Sequence, residues 1–311
     1  MPTTLNAKLL NNIRRVSLAC GLLLIGSLVH SQAQPQEQAQ IQTQPKTSLW
    51  KVEKDGGYLY LGGTVHALTD ADYPLPRAYD QAYADADILY FETDIGQVSS
   101  PAFLATSTFA LSYSDGRTLQ SVLRPEVYAQ VSEYFSARGV PMFLMSRVTA
   151  GGASMAITVL ELQNLGYDTS GVDQYYYERA AIDGKRIGVF ESVDEQLAFI
   201  AGLGEGIENE IMLAALADVA RSKNVLETMT NQWRTGDMDG LYLTMIVELK
   251  ERFPSVYESL IASRNNAWMS TIEAMFQTEE VELVLVGAGH MAGTEGILKM
   301  LEAKGYKITQ F

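Results

Sequence analysis

Apolar and polar residues alternate in two short runs near residue 50, Leu49–Val52 and Tyr58–Leu61, which are separated by Gly56 and Gly57. Alternation with a period of two residues, interrupted by glycines, predicts a β-hairpin. The final residues, 306–310, predict an edge strand. Other apolar runs, too short for helices, predict strands at 88–92, 186–190 and 281–286.

Apolar residues recur at helical spacing over most of the middle of the chain. Helices are therefore predicted at 76–86, 125–138, 154–165, 174–183, 194–202, 208–235, 237–253, 257–277 and 294–304. Strands near both ends enclose this mostly helical middle. The simplest arrangement is one α/β domain, in which a central mixed β-sheet is built from the N- and C-terminal strands and the helices cover or cap it.

Residues 1–33 have the pattern of a secretory signal peptide. Three basic residues precede an apolar stretch, Val16–Val29, and Ser31-Gln32-Ala33 follows it, which predicts cleavage after Ala33. A membrane anchor is the alternative, but the stretch is shorter than the about 20 residues that a spanning helix needs. A lipoprotein anchor at Cys20 is weaker still, because this cysteine stands at the beginning of the apolar stretch.

The next segment, 34–47, is rich in Gln, Pro and Thr and predicts a disordered linker, which leaves a single domain at 48–311. The chain has a formal charge of −14 and one cysteine, Cys20, which the predicted cleavage removes. This acidity disfavours nucleic acid as a partner, and one cysteine excludes an intrachain disulfide. Export to a bacterial periplasm suits such a chain, with full secretion as the alternative and no stable membrane anchor after cleavage.

The chain has three histidines, and cleavage leaves two of them, His66 and His290. Each of these follows an apolar strand and ends a Gly-x-x-His motif. Ligands bind outside the carboxyl ends of parallel strands, and neutral imidazole is a common metal ligand. A lone loop histidine is more often a surface group, but the repeated context favours a shared site for a divalent ion.

Two glutamates occupy similar positions, Glu92 at the end of one predicted strand and Glu191 directly after another. Two imidazoles and two carboxylates at one sheet edge can hold a divalent ion or supply a general base. Taken singly, a glutamate at a strand end is more often a solvated loop residue. Asp173, which stands before a predicted helix, is either a further site residue or a helix N-cap.

Several motifs together resemble the TraB/PrgY/GumN family, and most closely its GumN-like bacterial members. The similarity extends from about Leu49 to Phe311, and it depends on the order and spacing of the motifs. The motifs are Gly63-Thr64-Val65-His66, Phe91-Glu92-Thr93-Asp94, Gly171-Val172-Asp173, Phe190-Glu191-Ser192-Val193-Asp194-Glu195-Gln196, Arg264-Asn265 with Trp268, Val286-Gly287-Ala288-Gly289-His290-Met291-Ala292-Gly293 and Gly305-Tyr306-Lys307-Ile308. One departure is Arg147-Val148-Thr149, where GumN-like members are expected to have Pro-Trp.

The resemblance implies the α/β fold of Tiki-like and erythromycin-esterase/ChaN-like proteins, and metalloprotease chemistry with paired Gly-x-x-His motifs. It implies metal ligands His66, His290 and Glu92, catalytic residues Glu92, Glu191 and Arg264, and substrate-binding residues Asn265 and Asp173. In this assignment Glu92 is either a ligand or the general base, and Arg264 stabilises developing negative charge.

Two functions therefore compete. The first is an exported hydrolase of peptide or amide bonds that depends on Mn²⁺, Co²⁺ or Zn²⁺, acting on a peptide or another small molecule. The second is a non-catalytic periplasmic protein that binds a peptide, a metal or a haem-like ligand on the same scaffold. A metal-free hydrolase with one histidine as general base is a third alternative.

Overall fold

A computed structural model describes residues 46–98, 100–167 and 171–311. The predicted signal peptide and nearly all of the predicted linker lie outside the described residues. Packing begins at Thr47, the last residue of the predicted linker, which is buried and whose amide donates to the Phe311 carbonyl at 2.6 Å. The two ends of the described chain therefore meet at one side of the sheet.

Six strands form one mixed sheet, as the sequence predicts. They are β1 Leu49–Lys54, β2 Gly57–Thr64, β3 Ile88–Phe91, β4 Arg186–Val189, β5 Glu282–Gly287 and β6 Lys307–Gln310. Their order across the sheet is β4-β3-β5-β2-β1-β6. Neighbours from β4 to β2 run parallel, whereas β1 is antiparallel to both β2 and β6. The carboxyl ends of four strands therefore lie along the same edge.

Helices occupy most of the other described residues. They are α1 Arg77–Asp85, α2 Ile95–Val98, α3 Pro101–Ala110, α4 Leu119–Val122, α5 Pro125–Ala137, α6 Met142–Met145, α7 Ala150–Asn164, α8 Val172–Asp183, α9 Val193–Gly202, α10 Glu208–Val219, α11 Ser222–Thr235, α12 Met238–Leu241, α13 Val247–Arg252, α14 Pro254–Tyr257, α15 Ser263–Met275 and α16 Ile297–Ala303. Turns of π-helix, Tyr242–Ile246 and Glu258–Ala262, join α12 to α13 and α14 to α15. Within the described ranges, none of the helices combines the length and the apolar character needed to cross a bilayer.

The prediction of one continuous helix over 208–235 is wrong, because the chain turns between α10 and α11. Met212 of α10 packs into a cluster of helices α4 to α7, whereas Trp233 of α11 packs against the sheet. One straight helix cannot serve both cores, so the chain changes direction near Arg221. The sequence does not predict the short helices α2, α3, α4 and α6, because their apolar residues show no clear helical spacing over so few residues.

The sheet is covered on both faces. Leu283 and Leu285 of β5 point into a core formed with α1, α8 and α11, and Val284 and Val286 point into a second core formed with α15 and α16. Burial on both faces explains why β5 is a continuous apolar run rather than an alternating one. A third core lies entirely among the middle helices, so these helices form a layer with packing of its own.

Glu282, the first residue of β5, is an acid that the fold buries. Its side chain is 3% exposed, and no described group donates a hydrogen bond to its Oε2 atom. Burial, together with the neighbouring carboxylates of Glu280 and Asp87, raises the pKa of Glu282 to about 7. Between about pH 5 and 7 the folded protein therefore favours the protonated form, whereas the unfolded chain favours the ionised form.

We predict that Glu282→Gln makes stability less sensitive to alkaline pH. Between pH 5 and 8 the folded protein binds more protons at this site than the unfolded chain, so the free energy of unfolding of the wild type falls as pH rises. From pH 5 to pH 8, the free energy of unfolding of the glutamine variant should fall by on the order of 1–3 kcal/mol less than that of the wild type. Urea unfolding at both pH values measures this difference. The exposed neighbour Glu279→Gln is the control, and an equal loss in wild type and Glu282→Gln would refute the prediction.

Candidate functional site at the carboxyl edge of the sheet

The carboxyl edge of the parallel strands carries the four residues that the sequence singles out. Along the edge, Glu191 follows β4, Glu92 follows β3, His290 follows β5 and His66 follows β2. The chain passes from β2 to β3 across a gap one strand wide, and β5 later fills this gap between them. This edge is therefore a topological switch point of the sheet. Arg264, in the first turn of α15, reaches three of these four residues from one face of the sheet.

A buried guanidinium joins the two glutamates. Arg264 is 8% exposed; its Nε donates to Glu191 Oε1 and its Nη2 donates to Glu92 Oε2, both at 2.6 Å. Burial opposes the charge on Glu92, but His290, Arg264 and His66 outweigh it and hold the pKa at about 2. Burial prevails at Glu191 and raises its pKa above the ordinary value despite Arg264. Glu92 is therefore the carboxylate that stays ionised at this edge.

Asn265 fixes the protonation of His290. The Asn265 amide nitrogen donates to the carbonyls of His290 (3.2 Å) and Glu295 (2.8 Å), so its oxygen faces His290 Nδ1 at 2.7 Å. Nδ1 must then carry the proton, and the lone pair of Nε2 faces Arg264 Nη1 at 3.2 Å. Burial lowers the pKa of His290 to about 4, which keeps this imidazole neutral at pH 7.

Trp268 packs behind the same imidazole. The two ring centroids are 4.6 Å apart, and Phe190 stacks against Trp268 with ring centroids 5.1 Å apart. Trp268 lies one helical turn beyond Arg264 and Asn265, so helical spacing from those two residues is the signal that points to it. These rings exclude water from the polar cluster, which strengthens its hydrogen bonds.

His66 occupies a different environment. Its side chain is 65% exposed, and Nδ1 donates to Asp173 Oδ2 at 2.8 Å. The Asp173 carboxylate is the main reason that the pKa of His66 is raised, to about 9. The Asp173 Oδ1 atom is buried and accepts no hydrogen bond from a described group. Because Gly171 holds the N-cap position of α8, the N-cap alternative for Asp173 is wrong.

A glycine allows α8 to reach His66. A Cβ at Gly171 would lie 2.0 Å from the Val65 carbonyl oxygen, so only glycine permits this approach. The Val172 amide donates to the same carbonyl at 3.1 Å. This docking places the first turn of the helix, with Asp173, beside the imidazole.

Gly287 lies at the centre of the site. A Cβ at this position would lie 3.2 Å from Glu92 Oε1 and 3.6 Å from both His66 Nε2 and His290 Cδ2. The Gly287 amide also donates to Glu92 Oε1 at 2.7 Å. The absence of a side chain at residue 287 therefore leaves a small space around which both imidazoles and one carboxylate are arranged.

The two predicted substrate-binding residues contact the two histidines. Asn265 is fully buried behind His290, and Asp173 lies behind His66. Sequence reasoning gave no role to Thr64 and Thr93, whose buried hydroxyls flank the edge and have no hydrogen-bond partner among the described residues. Their positions, inside one Gly-x-x-His motif and directly after Glu92, are the signal that could have identified them.

The donor types fit a divalent ion. Metal-binding histidines usually donate their second ring nitrogen to an oxygen, as His66 does to Asp173 and His290 does to Asn265. Together with Glu92 they form a set suited to Mn²⁺, Co²⁺ or Zn²⁺. Within the described part of the chain, however, no group of three such side chains stands close enough to hold an ion. A metal therefore needs movement of side chains before three of them can bind it.

Comparison with known proteins places this chain in a family. The sequence profile of the TraB/PrgY/gumN family matches residues 48–310, which is most of the chain. The chain belongs to the TraB/PrgY/gumN family. This membership confirms the resemblance that the motifs suggested.

Curated relatives of this family member are metalloproteases by name. Metalloprotease TIKI2 of Danio rerio is 20% identical, over 96% of this chain and 68% of its own length. Metalloprotease TIKI1 of Xenopus tropicalis is 20% identical over 86% of this chain, and that of Danio rerio is 21% identical over 84%. The match spans 62% of the length of each TIKI1 protein. No solved structure matches the chain significantly.

We predict that Asp173→Asn lowers the pKa of His66 by about one unit or more, because the neutral amide no longer favours the imidazolium. NMR titration measures this change, and His290 serves as an internal reference. Asp94→Asn, which changes an acid held by Gln97 and Tyr177, is the control. An unchanged pKa of His66 in Asp173→Asn would show that the ion pair does not govern it.

Proposed function

We propose that this protein is a metal-dependent hydrolase of peptide or amide bonds. At family level, the metalloprotease names of the relatives support metal-dependent hydrolysis. The observation that carries the proposal for this chain is the arrangement around Gly287. Two imidazoles with their Nδ1 atoms held by oxygen acceptors flank one ionised carboxylate there.

His66, His290 and Glu92 are the residues that would hold the ion. A bound divalent ion supplies Lewis acidity toward the carbonyl oxygen of the scissile bond. The low pKa of Glu92 makes it a weak proton acceptor, which favours the ligand role over the general-base role. Glu191, whose pKa is raised by burial, is the supporting acid of the site through its pair with Arg264.

Other residues orient this machinery. Asp173 and Asn265 set the direction of the two imidazoles, and Arg264 places a fixed positive charge beside the carboxylates. A fixed positive charge in a water-poor site stabilises negative charge that develops on a substrate oxygen. Asp173 and Asn265 therefore act on the substrate through the histidines in this proposal.

The proposed place of action is the bacterial periplasm, with full secretion as the alternative. The support comes from the sequence of residues 1–33, which has the basic, apolar and small-residue parts of a signal peptide. The acidic character and the lack of cysteine after the proposed cleavage site suit an oxidising compartment. A peptide reaching that compartment is the proposed substrate class.

We predict that His66→Ala and His290→Ala each abolish metal retention. The purified chain is soaked separately with Mn²⁺, Co²⁺ and Zn²⁺, desalted and analysed by mass spectrometry. The wild type should retain close to one ion per chain and cleave members of a peptide library in a chelator-sensitive way. Each variant should lose at least about 100-fold in activity, since a missing ligand removes the ion that polarises the carbonyl.

Asn266→Ala is the matched control, because Asn266 is exposed and donates only within its own helix, to the Ala262 carbonyl at 2.9 Å. Negligible metal in wild type and variants alike would overturn the metal-dependent proposal. Metal or peptide retained without any cleavage would instead support the non-catalytic binding protein. Cleavage that survives the chelator would point to a histidine acting as general base without metal.

A further inference from the structure

The lone pair of His290 Nε2 is already in use. Because Asn265 holds the proton on Nδ1, Nε2 is the only ring nitrogen that can bind an ion. An imidazole nitrogen has a single lone pair, and this one accepts a hydrogen bond from Arg264 Nη1 at 3.2 Å. An ion and Arg264 therefore cannot occupy Nε2 at the same time.

The competition extends to Glu92. Arg264 Nη2 donates to Glu92 Oε2 at 2.6 Å, so the guanidinium neutralises the carboxylate that would otherwise attract the ion. Both proposed ligands, His290 and Glu92, are buried, and salt screens charges poorly in buried surroundings. A positive charge this close opposes a second cation as well as taking its lone pairs.

Glu191 offers the guanidinium another arrangement. It already accepts from Arg264 Nε through Oε1 at 2.6 Å, while its Oε2 atom is buried and has no described donor in full hydrogen-bond geometry. The Trp268 side chain lies close enough to this carboxylate to favour its charged form. A buried carboxylate oxygen without a donor is costly, and a carboxylate binds guanidinium best through both oxygens. Oε2 can therefore receive the Nη2–H group that Arg264 withdraws from Glu92, because Nη2 lies beside Nε in the guanidinium. The same turn moves Nη1 away from His290.

The aromatic surroundings allow such a shift without exposing the charge. The guanidinium carbon lies 4.9 Å from the centroid of the Trp268 ring and 5.8 Å from that of Phe199. Arginine stacks on aromatic faces, so a guanidinium that slides along a ring keeps this contact. The shift thus requires a change of hydrogen-bond partners within the same buried cluster.

We propose that Arg264 is an internal cation that competes with the divalent ion for His290 and Glu92, and that Glu191 receives it when the ion binds. This inference rests on the proposed metal-dependent function. Arg264 then sets the affinity for metal although it is not a ligand, and Glu191 favours metal binding although it touches no ion.

The test measures the affinity for Zn²⁺ and Co²⁺ by equilibrium dialysis of the purified chain. Arg264→Gln, which removes the competing charge, should bind each ion at least about 10-fold more tightly than the wild type. Glu191→Gln, which removes one receiving oxygen, should bind each ion about 10-fold more weakly. Arg138→Gln, which breaks a partly buried arginine–glutamate pair, Arg138–Glu161, is the matched control and should leave the affinity unchanged.

If Arg264→Gln does not fold, Arg264→Lys replaces it in the test, because lysine keeps a positive charge near the two glutamates. One ammonium group cannot contact Glu92, Glu191 and His290 as a fork does, so this variant should also bind metal more tightly than the wild type. Equal affinity in the wild type and both Arg264 variants would overturn the competition while leaving the metal-dependent function in place. Unchanged affinity in Glu191→Gln would overturn its receiving role. Absence of metal binding in every variant would overturn both proposals.

Discussion

Arg264 reaches, from α15 on one face of the sheet, the carboxylates that follow two neighbouring parallel strands, and the rest of the site depends on this contact. Glu92 and Glu191 are both buried, and two buried carboxylates repel each other unless a cation lies between them. Removing one partner of such a buried pair typically costs about 3–5 kcal/mol. The ion pair therefore ties α15 to β3 and β4, and it also holds Glu92 in the orientation that accepts the Gly287 amide.

The same local motif produces two imidazoles with opposite properties. Both histidines end a Gly-x-x-His sequence after a parallel strand, yet His290 is buried and neutral, and His66 is exposed and favours its charged form. The difference comes from the second partner. An uncharged amide, Asn265, holds one ring, and a carboxylate, Asp173, holds the other. In the proposed function, an ion would be held by one imidazole fixed in the core and one held near the surface by an ion pair.

The layered architecture explains how this cluster is kept in place. Two cores enclose the sheet and hold the strand ends, while the middle helices pack around a core of their own. The turn of π-helix at Glu258–Ala262 ends two residues before Arg264. Such turns change the direction in which the following side chains point, and they are frequent at functional sites. Here it helps to aim two consecutive residues at the strand ends from one helix.

Local patterns in the sequence were sufficient to predict the strands, the mixed sheet and the positions of His66, Glu92, Glu191 and His290 after strand ends. These features depend on runs of a few residues, and parallel strands bring their carboxyl ends to one edge whatever the rest of the chain does. Tertiary structure alone decided the partners of those residues. Arg264 is 172 residues from Glu92, and Asp173 is 107 residues from His66. Protonation, charge and the break between α10 and α11 likewise follow from packing between distant segments, because burial and neighbouring charge belong to the folded chain and not to a local pattern.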